Sequence, residues 1–305
     1  MKTLKLGIIG LSEGNGHPYS WSAIFNGYNA KFMEKCPFPS IPKYLSNQNF
    51  PKDAIQNAKV THIWTQKKSL SEQIAKASNI ENIVTHYEDL IGKVDAILLA
   101  RDDSENHYKI SKPLINAKLP IYIDKPISTK VIIAKKIFSL KKFKNQIFTC
   151  SALSFAKELN PTLEEIKKLG KIKYIDACVM KDWKKYSIHI IEPVLKIIET
   201  YNIIQKTDTI KTTKIILNKN QKTVSFLWKS GLITTFSTLG KIKTPIIIRL
   251  FGTNGYKELI FKNTFDAFKN SLQKFINIIL KKEKSINKKF VLKTIKMIEL
   301  GNKYE

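Results

Sequence analysis

The chain has 305 residues, 43% of them hydrophobic, which is enough for two domains with separate cores, and no segment approaches the roughly 20 uninterrupted apolar residues of a membrane span. Its 52 basic and 25 acidic residues give a net charge of +27, which would suit a nucleic acid, an anionic membrane or a phosphorylated substrate. Because the lysines are spread through nearly every segment, the charge reflects a lysine-rich composition, and we expect neither nucleic acid nor a membrane as a partner.

The chain begins with a predicted buried strand at 4–10, a loop that contains glycines, and a predicted helix at 19–28. This order is typical of a dinucleotide-binding unit, in which backbone N–H groups and the helix N-terminus hold a pyrophosphate. The spacing is irregular, because Ser12 occupies the position of the second glycine in the usual motif. The residues predicted to contact a cofactor here are Gly10, Ser12, Gly14 and Gly16. No signal-peptide cleavage site follows the first apolar run, so we expect a cytoplasmic protein.

Residues 29–58 contain four prolines, a density that breaks regular structure, and are predicted to form an insertion packed on the first helix. A second predicted strand at 59–64 ends in Thr65-Gln66-Lys67-Lys68, without the carboxylate that an NAD-binding unit offers to the adenine ribose. The two lysines could meet a 2′-phosphate instead. We therefore predict NAD(P) as the cofactor, with NADP preferred, and Thr65 and Lys67 as contacts.

Val94–Ala100 is the clearest strand of the sequence, and polar side chains follow it from Arg101 to Tyr108. In a doubly wound sheet this exit lies beside the exit of the next strand, so both should line one crevice. Arg101 is therefore predicted to contact the cofactor, and His107 the substrate.

The next predicted strand, at 121–124, leads into Lys125 and Pro126. A lysine at the carboxyl end of a parallel strand lies where such sheets bind ligands, and a partly desolvated ammonium can bind a substrate oxygen or exchange a proton. The alternative is an ordinary surface lysine in a turn. Asp124-Lys125-Pro126 resembles the Glu-Lys-Pro signature of the Gfo/Idh/MocA oxidoreductases, whose lysine lies between nicotinamide and substrate. The resemblance implies that Asp124 and Lys125 contact the cofactor, and that Lys125 also binds substrate and acts in catalysis.

Helices predicted at 108–117 and 129–140 and a strand at 147–153 continue the β-α alternation, which predicts a parallel sheet. The second half instead has hairpin-like links between strands predicted at 171–179, 212–217, 223–228, 232–237 and 245–251. The predicted fold class is therefore α/β: a Rossmann domain with a doubly wound parallel sheet at 1–150, then an α+β domain with a large open antiparallel sheet at 151–305. Helices predicted at 264–281 and 288–301 close the chain, and the whole architecture resembles the same family.

The resemblance also implies a homo-oligomer, a dimer or a tetramer, that forms through the C-terminal sheet. The aromatic residues predicted on the interacting face are Phe226, Trp228 and Phe236.

Family members carry Asp-x-Gly-x-His-x-x-Asp in the second domain, where this chain reads Lys185-Tyr186-Ser187-Ile188-His189-Ile190-Ile191-Glu192. The resemblance implies that His189 relays the substrate proton and that Lys185 and His189 contact the substrate. Lys185 replaces the first aspartate, and an ammonium cannot orient an imidazole as a carboxylate does. Either His189 and Lys125 act without that acid, or Glu192 substitutes for it, or the reaction differs; a core histidine paired with a local acid is the structural alternative.

Together these features predict an NAD(P)-dependent oxidoreductase that transfers a hydride to or from a carbinol or keto carbon of a sugar, polyol or sugar-nucleotide, with Lys125, His189 and Glu192 as catalytic residues. A surface-polysaccharide precursor is the expected substrate. The alternative is a catalytically reduced family member that serves as a sugar- or cofactor-binding partner subunit. A nucleic-acid-binding protein is a third alternative, without a recognition motif in its favour.

The three cysteines lie far apart and indicate neither a disulfide framework nor a metal site.

Overall fold

The computed structural model describes residues 3–303, and the chain divides into two compact units. The first unit holds the residues up to Ser128, Ile132–Thr149 and Phe268–Lys288. The second unit holds Thr129–Val131, Cys150–Ala267 and the residues from Lys289 onward.

Six parallel strands form the sheet of the first unit: β1 (Leu4–Ile9), β2 (Ala58–Trp64), β3 (Asn82–Ile83), β4 (Ala96–Leu99), β5 (Ile121–Ile123) and β6 (Ile147–Phe148). Their spatial order is β3-β2-β1-β4-β5-β6. The central strands are buried aliphatic runs, as expected for strands covered on both faces. Because the chain order reverses between β1 and β4, the loops after these two strands lie at the switch point where doubly wound sheets bind ligands.

The helices of this unit begin with α1 (His17–Asn26), followed by α2 (Ala30–Met33), α3 (Ser40–Leu45), α4 (Lys68–Ala77), α5 (His107–Asn116) and α6 (Val131–Ser139). The predicted insertion contains α2 and α3, two short helices. It lies against the start of α1: a Cβ added to Gly16 would lie 2.5 Å from Ile41 and 2.6 Å from Phe38. Glycine at position 16 is therefore needed for packing.

The second unit contains β7 (Ile172–Val179), β8 (Ile210–Asn218), β9 (Gln221–Trp228), β10 (Ile233–Thr238), β11 (Ile247–Gly252) and β12 (Gly255–Ile260). Their order is β12-β11-β7-β10-β9-β8, and every neighbouring pair is antiparallel except β7 and β10. The helices are α7 (Leu163–Lys168), α8 (Trp183–Tyr186), α9 (Ile188–Thr200), α10 (Thr264–Ile279) and α11 (Lys288–Gly301), of which α10 begins here and continues in the first unit. The predicted fold class, a Rossmann unit followed by a large antiparallel sheet, is confirmed.

Helix α10 changes the predicted domain division, which placed all of 151–305 in the second domain. Its Phe275 ring centroid lies 5.7 Å from that of Tyr122 and 5.9 Å from that of Phe148, both in the first unit. Phe268–Lys288 belongs to the first unit because these rings complete its core. The predicted strand at 147–153 is also shorter, since a 3-10 turn begins at Ala152.

The aromatic residues predicted on the open face of the second sheet lie on its covered face instead. Phe226, Trp228 and Phe236 are at most 1% exposed, because side chains alternate along each strand and these three belong to the inward set. The pairing of the strands shows which residues lie side by side on the other, partly exposed face. One row across five strands is apolar and comprises Leu227, Ile233, Tyr174, Phe251 and Tyr256.

Among residues 3–303, no helix combines the length and the apolar character that crossing a membrane requires.

Candidate functional site

The loop after β1 is held tightly against α1. A Cβ added to Gly10 would lie 2.2 Å from Cγ of Pro18, so only glycine permits this approach. The loop then forms a β-turn, in which the N–H of Asn15 donates to the carbonyl of Ser12 at 3.1 Å. Gly14 adopts a φ of +75° in this turn, a conformation that favours glycine.

The N–H groups of the first turn of α1 are largely used within the chain. The His17 N–H donates to the Asn15 side chain at 2.8 Å, Pro18 has no N–H, and the Tyr19 N–H donates to the Gly16 carbonyl at 3.1 Å. In the part of the chain that the structure describes, no acceptor engages the N–H groups of Ser12, Glu13 or Gly14. The turn at 12–15, more than the helix end that the sequence predicted, therefore offers donors to an anion.

Asp124 is buried at the end of β5 and joins the loop after β1. Its Oδ2 accepts a hydrogen bond from Asn15 Nδ2 at 2.8 Å and lies 2.6 Å from His17 Nδ1. Burial alone would raise the pKa of the Asp124 carboxyl, but the charges of His17 and Lys125, together with hydrogen bonds from the His17 ring and the Lys125 N–H, lower it to about 2. The His17 ring also stacks on Trp21, with ring centroids 4.9 Å apart. Asp124 thus acts as a fixed negative charge that organises the loop, and not as an open cofactor ligand.

Lys125 follows directly and is 5% exposed. Its Nζ lies 3.8 Å from Oδ2 of Asp102, in the loop after β4. Asp102 also accepts a hydrogen bond from the Ser12 hydroxyl at 2.7 Å and donates its own N–H to Ser12 Oγ at 3.0 Å. The structure therefore brings Ser12, Asp102 and Lys125 together from the exits of β1, β4 and β5.

The end of β2 contributes Gln66, which the sequence did not predict as a site residue. Its side chain binds both polar backbone groups of Leu11, with distances of 3.1 Å from the Leu11 N–H to Oε1 and 2.8 Å from Nε2 to the carbonyl oxygen. Arg101 forms two hydrogen bonds with Asp103, at 2.9 and 2.6 Å, and a longer one of 3.3 Å with Gln66. Arg101 thus connects the loop after β4 to the end of β2 through Asp103 and Gln66.

Two predicted contacts have other partners in the structure. Thr65 is 5% exposed, and its hydroxyl donates to the Lys67 carbonyl at 2.7 Å, so it shapes the turn instead of facing a cofactor. His107 is fully buried, and its ring nitrogens lie 3.1 Å from the Ile127 carbonyl oxygen and 2.8 Å from the Arg101 carbonyl oxygen. His107 therefore joins two loops and is not accessible to a substrate. Lys67 is exposed, and its role as a cofactor contact stays a prediction.

In the second unit, Ser151 connects the two predicted residues of α9. Its hydroxyl lies 2.9 Å from Nδ1 of His189, and its N–H donates to Glu192 Oε1 at 3.0 Å. The same carboxylate accepts a hydrogen bond from the Ser154 hydroxyl at 2.9 Å. Burial raises the pKa of Glu192 to about 7, against the lowering effect of these hydrogen bonds and of Lys196.

Lys185, in the place of the family's aspartate, is half-buried in α8. Its N–H donates to Oδ1 of Asp182, which caps the helix, at 2.9 Å. The Tyr186 ring centroid lies 5.6 Å from that of His189.

Within residues 3–303, no group of His, Cys, Asp and Glu side chains is arranged to hold a metal ion.

Comparison with known proteins identifies the fold around these residues. Residues 43–151 match the model of the Gfo/Idh/MocA oxidoreductases, described as an oxidoreductase family with an NAD-binding Rossmann fold. The resemblance read from the sequence is thereby confirmed for this part of the chain. A search of curated proteins found no match.

Solved structures resemble the chain over nearly its whole length. A scyllo-inositol dehydrogenase from Lactobacillus casei, solved with NAD(H) and scyllo-inositol, is 15% identical with a TM-score of 0.70, and the match covers 97% of this chain and 95% of that one. A probable dehydrogenase from Thermotoga maritima is 13% identical, with a TM-score of 0.70 and coverages of 97% and 94%. A UDP-N-acetylglucosamine 3-dehydrogenase from Acidithiobacillus ferrooxidans is 10% identical, with a TM-score of 0.68 and coverages of 99% and 97%. At these identities the likeness shows the shared fold.

Proposed function

We propose that this chain, whose residues 43–151 match the Gfo/Idh/MocA oxidoreductases, is an NAD(P)-dependent oxidoreductase that transfers a hydride to or from a carbinol or keto carbon of a sugar, polyol or sugar-nucleotide. The observation that carries the proposal is the placement of Lys125. Its nearly buried ammonium lies at the carboxyl end of β5, within 3.8 Å of Asp102 at the exit of β4. Ligands of doubly wound sheets bind at such strand exits.

The residues of the first unit fit a dinucleotide. Gly10 permits the close approach of β1 and α1, and the N–H groups of the turn at 12–15 can bind a pyrophosphate. The nearby carboxylates of Asp102 and Asp124 already have cationic or hydrogen-bonding partners, which reduces their repulsion of phosphate. Lys67 and Lys68 are exposed after β2, where the adenine ribose lies in such folds, and they support a preference for NADP.

The nicotinamide supplies or accepts the hydride when the cofactor is bound. In this proposal Lys125 binds the oxygen of the reacting carbon and polarises it, as a desolvated ammonium can. Asp102 holds the lysine side chain in position, and the Ser12 hydroxyl holds Asp102 in turn.

The proton-transfer role of His189 is also a proposal. The Ser151 hydroxyl holds Nδ1 and so orients the ring, a task that the aspartate has in the family pattern. Glu192 binds the Ser151 N–H and the Ser154 hydroxyl, so its proposed role is to position the segment that carries Ser151. Lys185 is proposed as a substrate contact, with the cationic side chain suited to an anionic substrate.

A sugar-nucleotide used in surface-polysaccharide synthesis is the substrate we favour. Its support is the positive charge of the chain and the shared fold with a UDP-N-acetylglucosamine 3-dehydrogenase.

A homo-oligomer is proposed through the apolar row of the second sheet, in place of the three aromatic residues first expected there. A cytoplasmic location remains a prediction.

Titration with NADPH and NADH, followed by nicotinamide fluorescence, tests the cofactor. We expect micromolar binding, stronger for NADPH, and a loss of that preference in Lys67→Gln/Lys68→Gln. Equal affinity of the unmodified protein for both cofactors would contradict the NADP preference. A panel of polyols, sugars and sugar-nucleotides then tests turnover.

A catalytically reduced partner subunit is the second candidate function. It is favoured by Lys185 in the place of the family's aspartate and by the occupied N–H groups at the start of α1. Cofactor binding without turnover on any member of the panel would support this candidate over the first.

A further inference from the structure

An open pocket of about 610 Å³ lies in the second unit between three segments: the residues after β7, the β8–β9 hairpin and the residues after β10. Two backbone hydrogen bonds join the first and third segments. The Lys181 N–H donates to the Gly240 carbonyl at 2.6 Å, and the Gly240 N–H donates to the Lys181 carbonyl at 3.1 Å. Gly240 has a φ of +59°, and a Cβ there would lie 3.0 Å from the Asn220 carbonyl oxygen. Backbone hydrogen bonds therefore join two of the segments, and Gly240 packs closely against the third.

Four lysines and one aspartate are the charged residues that line this pocket: Lys181, Lys219, Lys222, Lys241 and Asp182. The Asp182 carboxylate already caps α8 by accepting the Lys185 N–H. In the described part of the chain, no carboxylate lies within 4.0 Å of the ammonium groups of Lys181, Lys219 or Lys241. The pocket consequently carries an excess of positive charge.

One of the four lysines of this pocket, Lys222, is buried inside the protein. The residue is 3% exposed, and its Nζ donates to the Gly301 carbonyl at 3.0 Å, at the C-terminal end of α11. The partial negative charge of a helix C-terminus stabilises a buried ammonium in this position. Lys222 therefore contributes a charge whose place is fixed, unlike a flexible surface lysine.

Two other pockets of the same unit allow a comparison of their lysines. A second pocket of the same unit is lined by three lysines and three glutamates, and Lys257 forms an ion pair there with Glu165 at 2.7 Å. In a third pocket, Lys293 lies 4.7 Å from the centre of the Trp228 ring, and Lys296 pairs with Glu299 at 3.3 Å. Lys257, Lys293 and Lys296 thus have local partners, as Lys181 of the first pocket has in Tyr186, whose ring centre lies 4.4 Å from its Nζ. In the described part of the chain, the side chains of Lys219 and Lys241 have no such partner.

We infer that the pocket between β7, the β8–β9 hairpin and β10 binds an organic diphosphate. Several lysine ammonium groups suit phosphate because each acts as a point charge that needs no fixed bidentate geometry. Its volume exceeds what one inorganic phosphate fills, and Met180, Trp183 and Leu217 supply apolar wall for an organic group. This inference concerns binding in the second unit and does not rest on the proposed hydride transfer.

Calorimetric titration of the full chain with inorganic pyrophosphate at low ionic strength tests the inference. We expect saturable binding that weakens roughly tenfold or more in Lys219→Gln/Lys241→Gln, which corresponds to about 1.4 kcal/mol or more for the two lost charge-assisted contacts together. Both lysines are exposed, so the variant should keep its fold, which circular dichroism checks. Displacement of pyrophosphate by uridine diphosphate is expected, because both would occupy the same lysines.

Two double variants control for general charge and for the first unit. Lys173→Gln/Lys229→Gln removes two exposed lysines outside the pocket and should keep the affinity for pyrophosphate. Lys67→Gln/Lys68→Gln should also keep it. The inference is overturned by a lack of saturable binding, by an equal loss in the Lys173 and Lys229 variant, or by a loss only in the Lys67 and Lys68 variant.

Discussion

Ser151 binds two ionisable side chains of α9 at once, His189 through its hydroxyl and Glu192 through its N–H. Glu192 is 4% exposed, and burial raises its pKa to about 7. A carboxyl whose folded pKa lies above its unfolded value stabilises the fold most at low pH. That contribution is lost as the pH rises from about 4.5 through 7.

Glu192→Gln should therefore stabilise the protein more at pH 8 than at pH 5. Glutamine keeps an oxygen that can accept from Ser151 and Ser154 but carries no charge, so the buried ionisation is avoided. The expected gain at pH 8 is at most about 3.5 kcal/mol, from about 1.4 kcal/mol for each unit between 4.5 and about 7. Urea unfolding at both pH values measures it, and Glu164→Gln, on an exposed position of α7, controls for the loss of one negative charge. A gain that does not change with pH would contradict the assigned burial effect.

Lys125→Met should reduce kcat by at least about 100-fold, because it removes the group proposed to polarise the substrate oxygen. NADPH affinity and thermal stability should change far less than kcat. Lys112→Met, which removes an exposed lysine of α5, provides a matched control with unchanged turnover. Steady-state kinetics on the substrate found in the panel would show this, and a fully active Lys125→Met would remove the lysine from the mechanism.

At the scale of elements, the sequence predicts the regular strands well because their side-chain pattern is local. The buried runs of β1, β4 and β5 and the alternation in β9 appear directly in the sequence. β12 is missed because Leu259 is its only buried residue, so the strand shows no alternation of buried and exposed side chains. The individual contacts of the site are missed for another reason: Ser12 and Asp102 are 90 positions apart, and Asn15 and Asp124 are 109 apart. Only the folded sheet brings such residues together.

Gln66 shows how one strand end supports the loop of another, and Gln66→Ala should loosen the loop after β1. Two hydrogen bonds to the Leu11 backbone would be lost, at a cost of about 1–2 kcal/mol in unfolding free energy. Hydrogen exchange at the Leu11 N–H should become faster, and NADPH binding weaker. Gln73→Ala removes a similar amide, which donates to the Lys35 carbonyl outside the site, and is the control. Unchanged Leu11 exchange in Gln66→Ala would show that the side chain does not hold the loop.

At the scale of the whole molecule, chain order and spatial grouping differ. Phe275 of α10 follows the second sheet in sequence, yet it belongs to the core of the first unit. The alternation in β9 and β10 likewise defines two faces without saying which one is covered, so Phe226, Trp228 and Phe236 were predicted on the wrong face. The family resemblance supplied the fold, whereas the packing of particular helices required the structure.

The partly exposed face of the second sheet is the surface proposed for self-association. Its apolar row includes Phe251 and Tyr256, whose ring centroids are 6.0 Å apart, and Tyr256 is 69% exposed. A neighbouring row is polar, with an ion pair of 2.8 Å between Arg249 and Asp176. An apolar row beside polar groups suits a contact between copies of the chain, since it buries aromatic surface and can satisfy the polar row across the interface.

Light scattering should therefore show a dimer or tetramer, and Phe251→Lys/Tyr256→Lys should shift it towards the monomer. Placing two ammonium groups in each copy of a symmetric interface brings like charges together and removes apolar contact, so the shift should grow as the protein is diluted. Ile132→Lys, on an exposed position of α6, tests whether any added charge has the same effect. A monomeric unmodified protein would refute association, and an unchanged oligomer in Phe251→Lys/Tyr256→Lys would place the interface on another surface.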